Sequence, residues 1–242
     1  MRIDVWSDVV CPWCYIGKRR LEQALAASGD SATVVWHSFQ LDPSSTNDDP
    51  RDLATRLGEK YGRGAEWGRQ ANAHVTEVAA EVGLEYHLDQ AKPVNTVDAH
   101  RLLHLALELG EAGEVPADTQ GKLKERLLKA YFTDGLPTGD HATLTELAVE
   151  VGLPADQVRE VLAGTAYADD VAADQAQALA YGANGVPFFV IDQKYGVSGA
   201  QPVEVFQEAL RRANADRQPV TLITAPGATD GDAACGPDGC PI

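Results

Sequence analysis

Apolar and polar positions along the chain follow a period of two at its start, a period near 3.6 through its long middle, and a period of two again towards its end. Residues 2–7 (RIDVWS) alternate around Ile3 and Val5, with Val9 following, the pattern of a strand. After Cys11-Pro12-Trp13-Cys14, Ile16, Leu21, Ala24 and Leu25 recur at helical spacing up to Gly29, and a β-rich run, Ala32–Leu41, then stops at Asp42-Pro43. These first residues read β-α-β, a parallel pair joined by a crossover helix. From Ser44 to Ala180 the pattern is helical only. One stripe holds Trp67, Ala71, Val75, Val78, Ala79 and Val82 before Gly83. Asn95 reads as the N-cap of a helix carrying Val97, Leu102, Leu103, Leu107 and Leu109. Pro116 fits the first position of the next, Asp140 caps another, Pro154 begins a short one through Leu162, and a last helix spans 168–180 before Gly182. Strands return at Val186–Ile191 and near Lys194–Ser198, Pro202 opens a helix with Val203, Phe206 and Leu210, and residues 219–224 (PVTLIT) suit one more strand.

Composition narrows the function classes. At 44% hydrophobic and 23% charged, the 242 residues suit an ordinary globular protein of one large or two small domains. The formal charge of −16 argues against nucleic acid or an anionic membrane as partner, because phosphate binding rests on clustered positive charge. Val186–Ile191 is the longest wholly apolar run, far short of a membrane span. Asp4, Ser7 and Asp8 interrupt the N-terminus where a signal peptide would be apolar. A cytoplasmic protein is therefore expected, although a secreted protein trimmed of its leader would look the same. Cytosolic thiols are kept reduced, which makes catalytic, redox-sensing or metal-binding roles the expectation for the 4 cysteines. They fall in two close pairs, Cys11/Cys14 and Cys235/Cys240.

Cys11-Pro12-Trp13-Cys14 sits where a strand hands over to a helix. Free N–H groups and the helix dipole favour an anion at that point, so the first sulfur is placed for thiolate chemistry. The i, i+3 spacing sets Cys14 on the same face one turn in, close enough to bond Cys11 and release a mixed disulfide. Half of a zinc site and two ordinary core cysteines are the other readings of such a pair, and the strand-helix context favours redox. The second piece is Gly185-Val186-Pro187-Phe188-Phe189-Val190-Ile191. A proline entering an apolar strand removes a ladder donor. It suits either a trans proline at a strand edge or a cis Val186–Pro187 bond that turns the Val186 backbone towards a partner.

The order of these pieces resembles the DsbA family of thioredoxin-fold oxidoreductases, and within it the FrnE-type branch. Relatives of that branch include 2-hydroxychromene-2-carboxylate isomerases and kappa-class glutathione transferases. DVVCPWCYIGKRRLE at 8–22, WHSFQLDP at 36–43, NTVDAHRL at 95–102 and GVPFFVI at 185–191 carry the likeness. It implies an α/β thioredoxin fold with a large all-α insertion. Residues 1–43 and 183–224 would form the thioredoxin-like part, 44–182 the insertion, and 225–242 a cysteine-bearing tail. It further implies Cys11 as nucleophile, Cys14 as resolving thiol, Pro187 as a cis-proline against them, and Val186 as backbone contact for an extended protein or peptide substrate. Isomerase and transferase relatives usually carry Ser where this chain has Cys11. Dithiol–disulfide exchange without a cofactor is thus the expectation, with glutathione as a co-substrate left open. The Pro-Trp dipeptide lacks the His that DsbA carries between its cysteines, which implies a less oxidising couple.

The remaining candidates are less specific. Trp13 is a candidate wall of the substrate site, and so is Trp6, which a buried strand position explains equally well. Asn95 is either a helix cap or a substrate contact. His100 and His104 lie i, i+4 on one helix, but without an H-E-x-x-H frame they read as core or surface histidines, and His37 reads as structural. Cys235 and Cys240 enclose Gly-Pro-Asp-Gly, a tight-turn sequence. The likeness favours a second redox pair there over a zinc site or idle thiols. The sequence does not set the oligomeric state, and a dimer is compatible with it.

Overall fold

A computed structural model of the chain describes residues 1–217. Cys235, Cys240 and the strand expected at 219–224 lie outside the described residues. The elements run β1 (Arg2–Ser7), α1 (Pro12–Ser28), β2 (Thr33–Ser38), α2 (Leu53–Lys60), α3 (Gly64–Glu81), α4 (Val97–Glu111), α5 (Thr119–Phe132), α6 (His141–Glu150), α7 (Ala155–Ala163), α8 (Ala168–Ala180), β3 (Phe188–Ile191), β4 (Tyr195–Ser198) and α9 (Val203–Ala215). The four strands form one sheet in the order β2-β1-β3-β4. β1 and β2 are parallel, and β3 runs antiparallel to both β1 and β4. This is a thioredoxin fold whose halves are separated in sequence by helices α2–α8.

Strand periodicity sends alternate residues to two different layers. Ile3, Val5, Trp36, Phe189, Ile191 and Val197 meet Leu21 and Ala24 of α1 and Phe206, Leu210 and Ala213 of α9. On the opposite face, Trp6, Phe188 and Val190 pack with Ala178 and Ala183 at the end of α8. The insertion builds two further cores. Leu102, Leu103, Leu123, Leu127, Leu144, Leu147 and Val158 belong to one, and Val75, Ala79, Tyr86, Leu128, Tyr131 and Phe132 to the other. Val9 is buried in the first, Tyr15 and Ile16 of α1 in the second, and Val10 touches both. The segment leading into Cys11 is thereby seated where the insertion meets the sheet.

Several element boundaries differ from the sequence reading. Helix α2 was not expected, since eight residues with Leu53, Ala54 and Leu57 give little periodic signal; Asp52 caps it through the Thr55 N–H. Pro116 does not open α5, because Pro116–Asp118 make a turn closed by the Thr119 N–H on the Pro116 carbonyl at 2.9 Å. β3 begins one residue after Pro187, so the missing proline N–H falls before the ladder. Asp140 does cap α6, its carboxylate accepting from Thr143 N–H at 2.8 Å.

Candidate active site

β1 ends at Ser7, and Cys11 follows after a turn closed by its own N–H on the Asp8 carbonyl at 3.4 Å. Cys11 is the N-cap of α1 in an extended conformation, and Pro12 occupies the first helical position, where its missing N–H costs nothing. The Cys14 N–H closes back onto the Cys11 carbonyl at 3.0 Å. The helix therefore presents both cysteines on one end of one face. Tyr86 fixes this end from the insertion, its hydroxyl donating to the Pro12 carbonyl at 2.8 Å.

The Val186–Pro187 peptide is cis. The Cys11 thiol donates to the Val186 carbonyl across 3.6 Å, which brings together residues 175 positions apart in the chain. Pro187 is buried against α1 at Gly17: a Cβ there would lie 3.0 Å from Pro187 Cγ and 3.1 Å from Phe189 Cζ. Its own carbonyl accepts from Gly199 N–H at 2.8 Å. Cys11 is 3% exposed and Cys14 1%, whereas Trp13 between them is 38% exposed. The Val186 carbonyl beside the cis Pro187 peptide thus meets Cys11, Cys14 lies in the first turn of the helix that Cys11 caps, and Trp13 stands on the surface of the same turn. Burial, followed by the hydrogen bond to Cys11, pushes the Cys14 thiol well above its ordinary range.

Asn95 belongs elsewhere. The N-cap of α4 is Thr96, not Asn95. The Asn95 amide nitrogen donates to the Pro43 and Ser45 carbonyls at 3.2 and 2.9 Å, while its oxygen accepts from Val97 N–H at 2.9 Å. It ties the loop after β2 to the start of α4. Trp6 is buried in the strand and does not wall the cysteine site: the indole donates to the Asp174 carbonyl at 2.9 Å and stacks on His37 at 4.6 Å. His37 is structural, set between Asp4 and Asp174 at 2.9 and 2.7 Å.

Three residues were missed by the sequence reading. Asp8 is buried directly before the cysteine turn, its carboxylate accepting from Leu41 N–H at 2.8 Å and His100 Nε2 at 3.2 Å. Burial disfavours the Asp8 charge, but the His100 and Leu41 hydrogen bonds outweigh it and hold Asp8 below the usual carboxylate range. Lys124 of α5 is fully buried beneath the same turn, donating to the Ser7 carbonyl at 3.3 Å. Gly17 gives the clearance that Pro187 occupies. Lys124 stands i, i+4, i+7 with Leu128 and Tyr131, an apolar stripe in which a lysine is the odd member, and that was the available signal. No cluster of His, Cys, Asp and Glu suited to a metal exists among the described residues.

A family profile described as "DSBA-like thioredoxin domain" matches residues 2–211. The crystal structure of a probable DsbA oxidoreductase from Streptomyces coelicolor is 45% identical, with a TM-score of 0.83 over 100% of this chain and 99% of that one. The uncharacterized protein YwbO of Bacillus subtilis (strain 168) is 29% identical over 217 residues, covering 87% of this chain and 96% of its own. The cytosolic disulfide reductase DsbM from Pseudomonas aeruginosa, solved with GSH, shares the fold at 16% identity and a TM-score of 0.62, covering 89% of this chain and 100% of its own. With the cysteine turn, the proline loop and the match over nearly all described residues in agreement, the chain belongs to the family of DSBA-like thioredoxin domains.

Proposed function

We propose that this protein is a thiol–disulfide oxidoreductase or disulfide isomerase of the FrnE-like type, acting in the cytoplasm on protein or peptide disulfides through Cys11 and Cys14. The observation that carries the reading is the Cys11 sulfur at the N-terminus of α1, 3.6 Å from the Val186 carbonyl. Free N–H groups at a helix start favour a thiolate, and an adjacent extended backbone can hold a substrate strand beside it. The Cys11 thiolate attacks a substrate disulfide, releases one substrate thiol and stays bonded to the other. Cys14 then attacks Cys11, closing the intramolecular disulfide and freeing the second substrate thiol. No cofactor is consumed. Trp13 offers an exposed aromatic surface beside the reacting sulfur for an apolar substrate side chain. No helix among the described residues is long and apolar enough to cross a membrane.

Insulin reduction by the dithiothreitol-coupled assay tests the proposal. The wild-type protein is expected to accelerate precipitation of the insulin B chain, and Cys11→Ser to abolish the acceleration. An unchanged rate in Cys11→Ser overturns it. A glutathione-dependent isomerase or transferase on a small aromatic substrate is the second reading, favoured by no distance in the site. Retention of both cysteines argues for dithiol exchange, with glutathione entering at most as the reductant of the Cys11–Cys14 disulfide.

A further inference from the structure

Edge strands present a row of unpaired backbone groups that proteins cover or blunt. β2 is an edge of the sheet, and half of that edge is covered. Gln120 of α5 stands in for a neighbouring strand, its Oε1 accepting from Trp36 N–H at 3.0 Å and its Nε2 donating to the Trp36 carbonyl at 2.9 Å. The Asp174 carboxylate accepts from Ser38 N–H at 2.7 Å. Thr33 N–H bonds the Met1 carbonyl on the β1 side at 2.9 Å, so alternation turns Val34 outward with Trp36 and Ser38. Among the described residues, the Val34 N–H and carbonyl have no partner. Val34 lines a groove of about 980 Å³ between β2, α1 and α5, with Leu21, Leu25, Ala32 and Leu107 among its apolar walls.

Charges on the rim of this groove are paired with one another, Lys18 with Glu125 at 2.6 Å and Lys122 with Asp118 at 2.8 Å. The groove therefore suits an uncharged extended segment with apolar side chains better than it suits an anion. The chain supplies such a segment at the groove's mouth. Near the end of α9, Asn214 donates to Asp30, in the loop that leads into β2, at 2.7 Å. Arg217 Nε donates to Asp192 at 3.2 Å, and the other oxygen of Asp192 accepts from Arg2 N–H at 2.7 Å. Arg2 itself lines the groove. Residues 218–229 (QPVTLITAPGAT) carry no charge, and Val220, Thr221, Ile223 and Thr224 are β-branched, which favours a pleated strand.

We propose that residues 219–224 lie in this groove as a fifth strand parallel to β2, paired to the Val34 N–H and carbonyl. Pro219 falls at the first position of that strand, where a proline is tolerated. A chain leaving at Arg217 enters at the Thr33 end and runs towards Trp36, as β2 does. Six extended residues cover about 20 Å, the length of β2. Gln120 ends the pairing, because it already occupies Trp36. The topology agrees. β4 is parallel to β1, since both are antiparallel to β3, and α9 packs on the same face of the sheet as α1. The connection from β4 through α9 to the new strand therefore crosses in the same direction as β1-α1-β2 and has its right hand. Only Gln218 separates Arg217 from the segment, which favours the chain's own groove over that of a second copy. The strand ends where β1 hands over to the cysteine turn, so residues 225–242 start from the active-site end of the molecule.

Amide exchange followed by NMR on the full chain tests the proposal. Amides between Val220 and Thr224 are expected to be protected, and so is the Val34 amide. Leu222→Asp together with Ile223→Asp is expected to speed exchange at Val34 about tenfold. The Trp36 amide, held by Gln120, should keep its rate in that variant, which separates loss of the strand from loss of the fold. An equal Val34 rate in the two chains overturns the proposal, as do amides at 220–224 that exchange like those of an open peptide. Protection of Val34 that fades on dilution would assign the groove to the segment of a second copy, and overturns it too.

Discussion

At the scale of single residues, the two cysteines differ in what surrounds them. Cys11 ends a turn and meets a backbone carbonyl of the loop before β3, whereas Cys14 is buried in the first turn of α1. The division suits an attacking sulfur that must reach a substrate and a resolving sulfur that must not. Cys14→Ser is expected to accumulate mixed disulfides through Cys11, seen as substrate adducts on non-reducing gels; adducts that still form in a Cys11→Ser, Cys14→Ser double variant would assign the trap elsewhere. Gly17 sets the distance between α1 and Pro187. A Cβ 3.0 Å from Pro187 Cγ and 3.1 Å from Phe189 Cζ is already tight, and the branched side chain of Gly17→Val has no room to turn. Overpacking of this kind costs about 1–3 kcal/mol. Urea unfolding should show that loss, and insulin reduction should slow more than Gly17→Ala slows it. The cysteine pair and Pro187 were legible because motif and order name them. Gly17, Asp8 and Lys124 were not, because each matters through a neighbour distant in sequence.

At the scale of elements, a charged cluster joins the sheet to the insertion. His37 on β2 sits between Asp4 on β1 and Asp174 on α8, and Asp174 also accepts from Ser38 N–H at 2.7 Å and pairs with His104 of α4 at 3.0 Å. Both His37 nitrogens face carboxylates, so the imidazolium can donate to both. Burial disfavours that charge, yet the hydrogen bonds to Asp174 and Asp4 raise His37 to about 9. Against desolvation that works the other way, the His104 and His37 hydrogen bonds hold Asp174 below its ordinary range, and those of His37 and Arg2 hold Asp4 there. Because His37 is raised in the folded state, its contribution is complete below about 6.5 and is lost as pH rises through about 9. A rise from 6.5 to about 9 corresponds to about 3 kcal/mol. The carboxylates act oppositely: their contribution is present above about 3.8 and is lost as pH falls through their lowered values. Lys124 has the reverse sign to His37, being relieved of its burial penalty as pH rises from about 8 towards 10.5. The clamp is therefore read from the difference between wild type and His37→Gln. That difference in unfolding free energy should be largest near pH 6 and shrink towards pH 9. A constant difference across the range would show that His37 is not charged in the fold. Nothing in the sequence announced this cluster, since its members lie on four elements. Helices α3, α6 and α8 were legible up to the glycines that follow them, whereas Gly110, the expected stop of α4, lies inside that helix, which runs on to Glu111; the eight-residue α2 carried too few apolar positions to stand out.

At the scale of the whole molecule, the cysteine turn is anchored in the insertion, Val9 within one of its cores and Val10 against both. The β-α-β and β-β-α halves were legible because strand periodicity and the two motifs bracket them, but the way the insertion's cores take in Val9, Val10, Tyr15 and Ile16 was not. The second cysteine pair belongs to this scale as well. We propose that Cys235 and Cys240 form a redox pair in exchange with Cys11 and Cys14. Residues 226–242 contain few apolar side chains, so little burial is lost with them. Deleting that segment should leave the thermal unfolding midpoint of the protein unchanged and slow its turnover of disulfide substrate. The full chain carrying Cys14→Ser and Cys240→Ser should trap a bond between Cys11 and Cys235, identified by mass spectrometry of the peptides. Equal turnover with and without the segment, together with no such bond, would leave Cys11 and Cys14 as a pair that works alone.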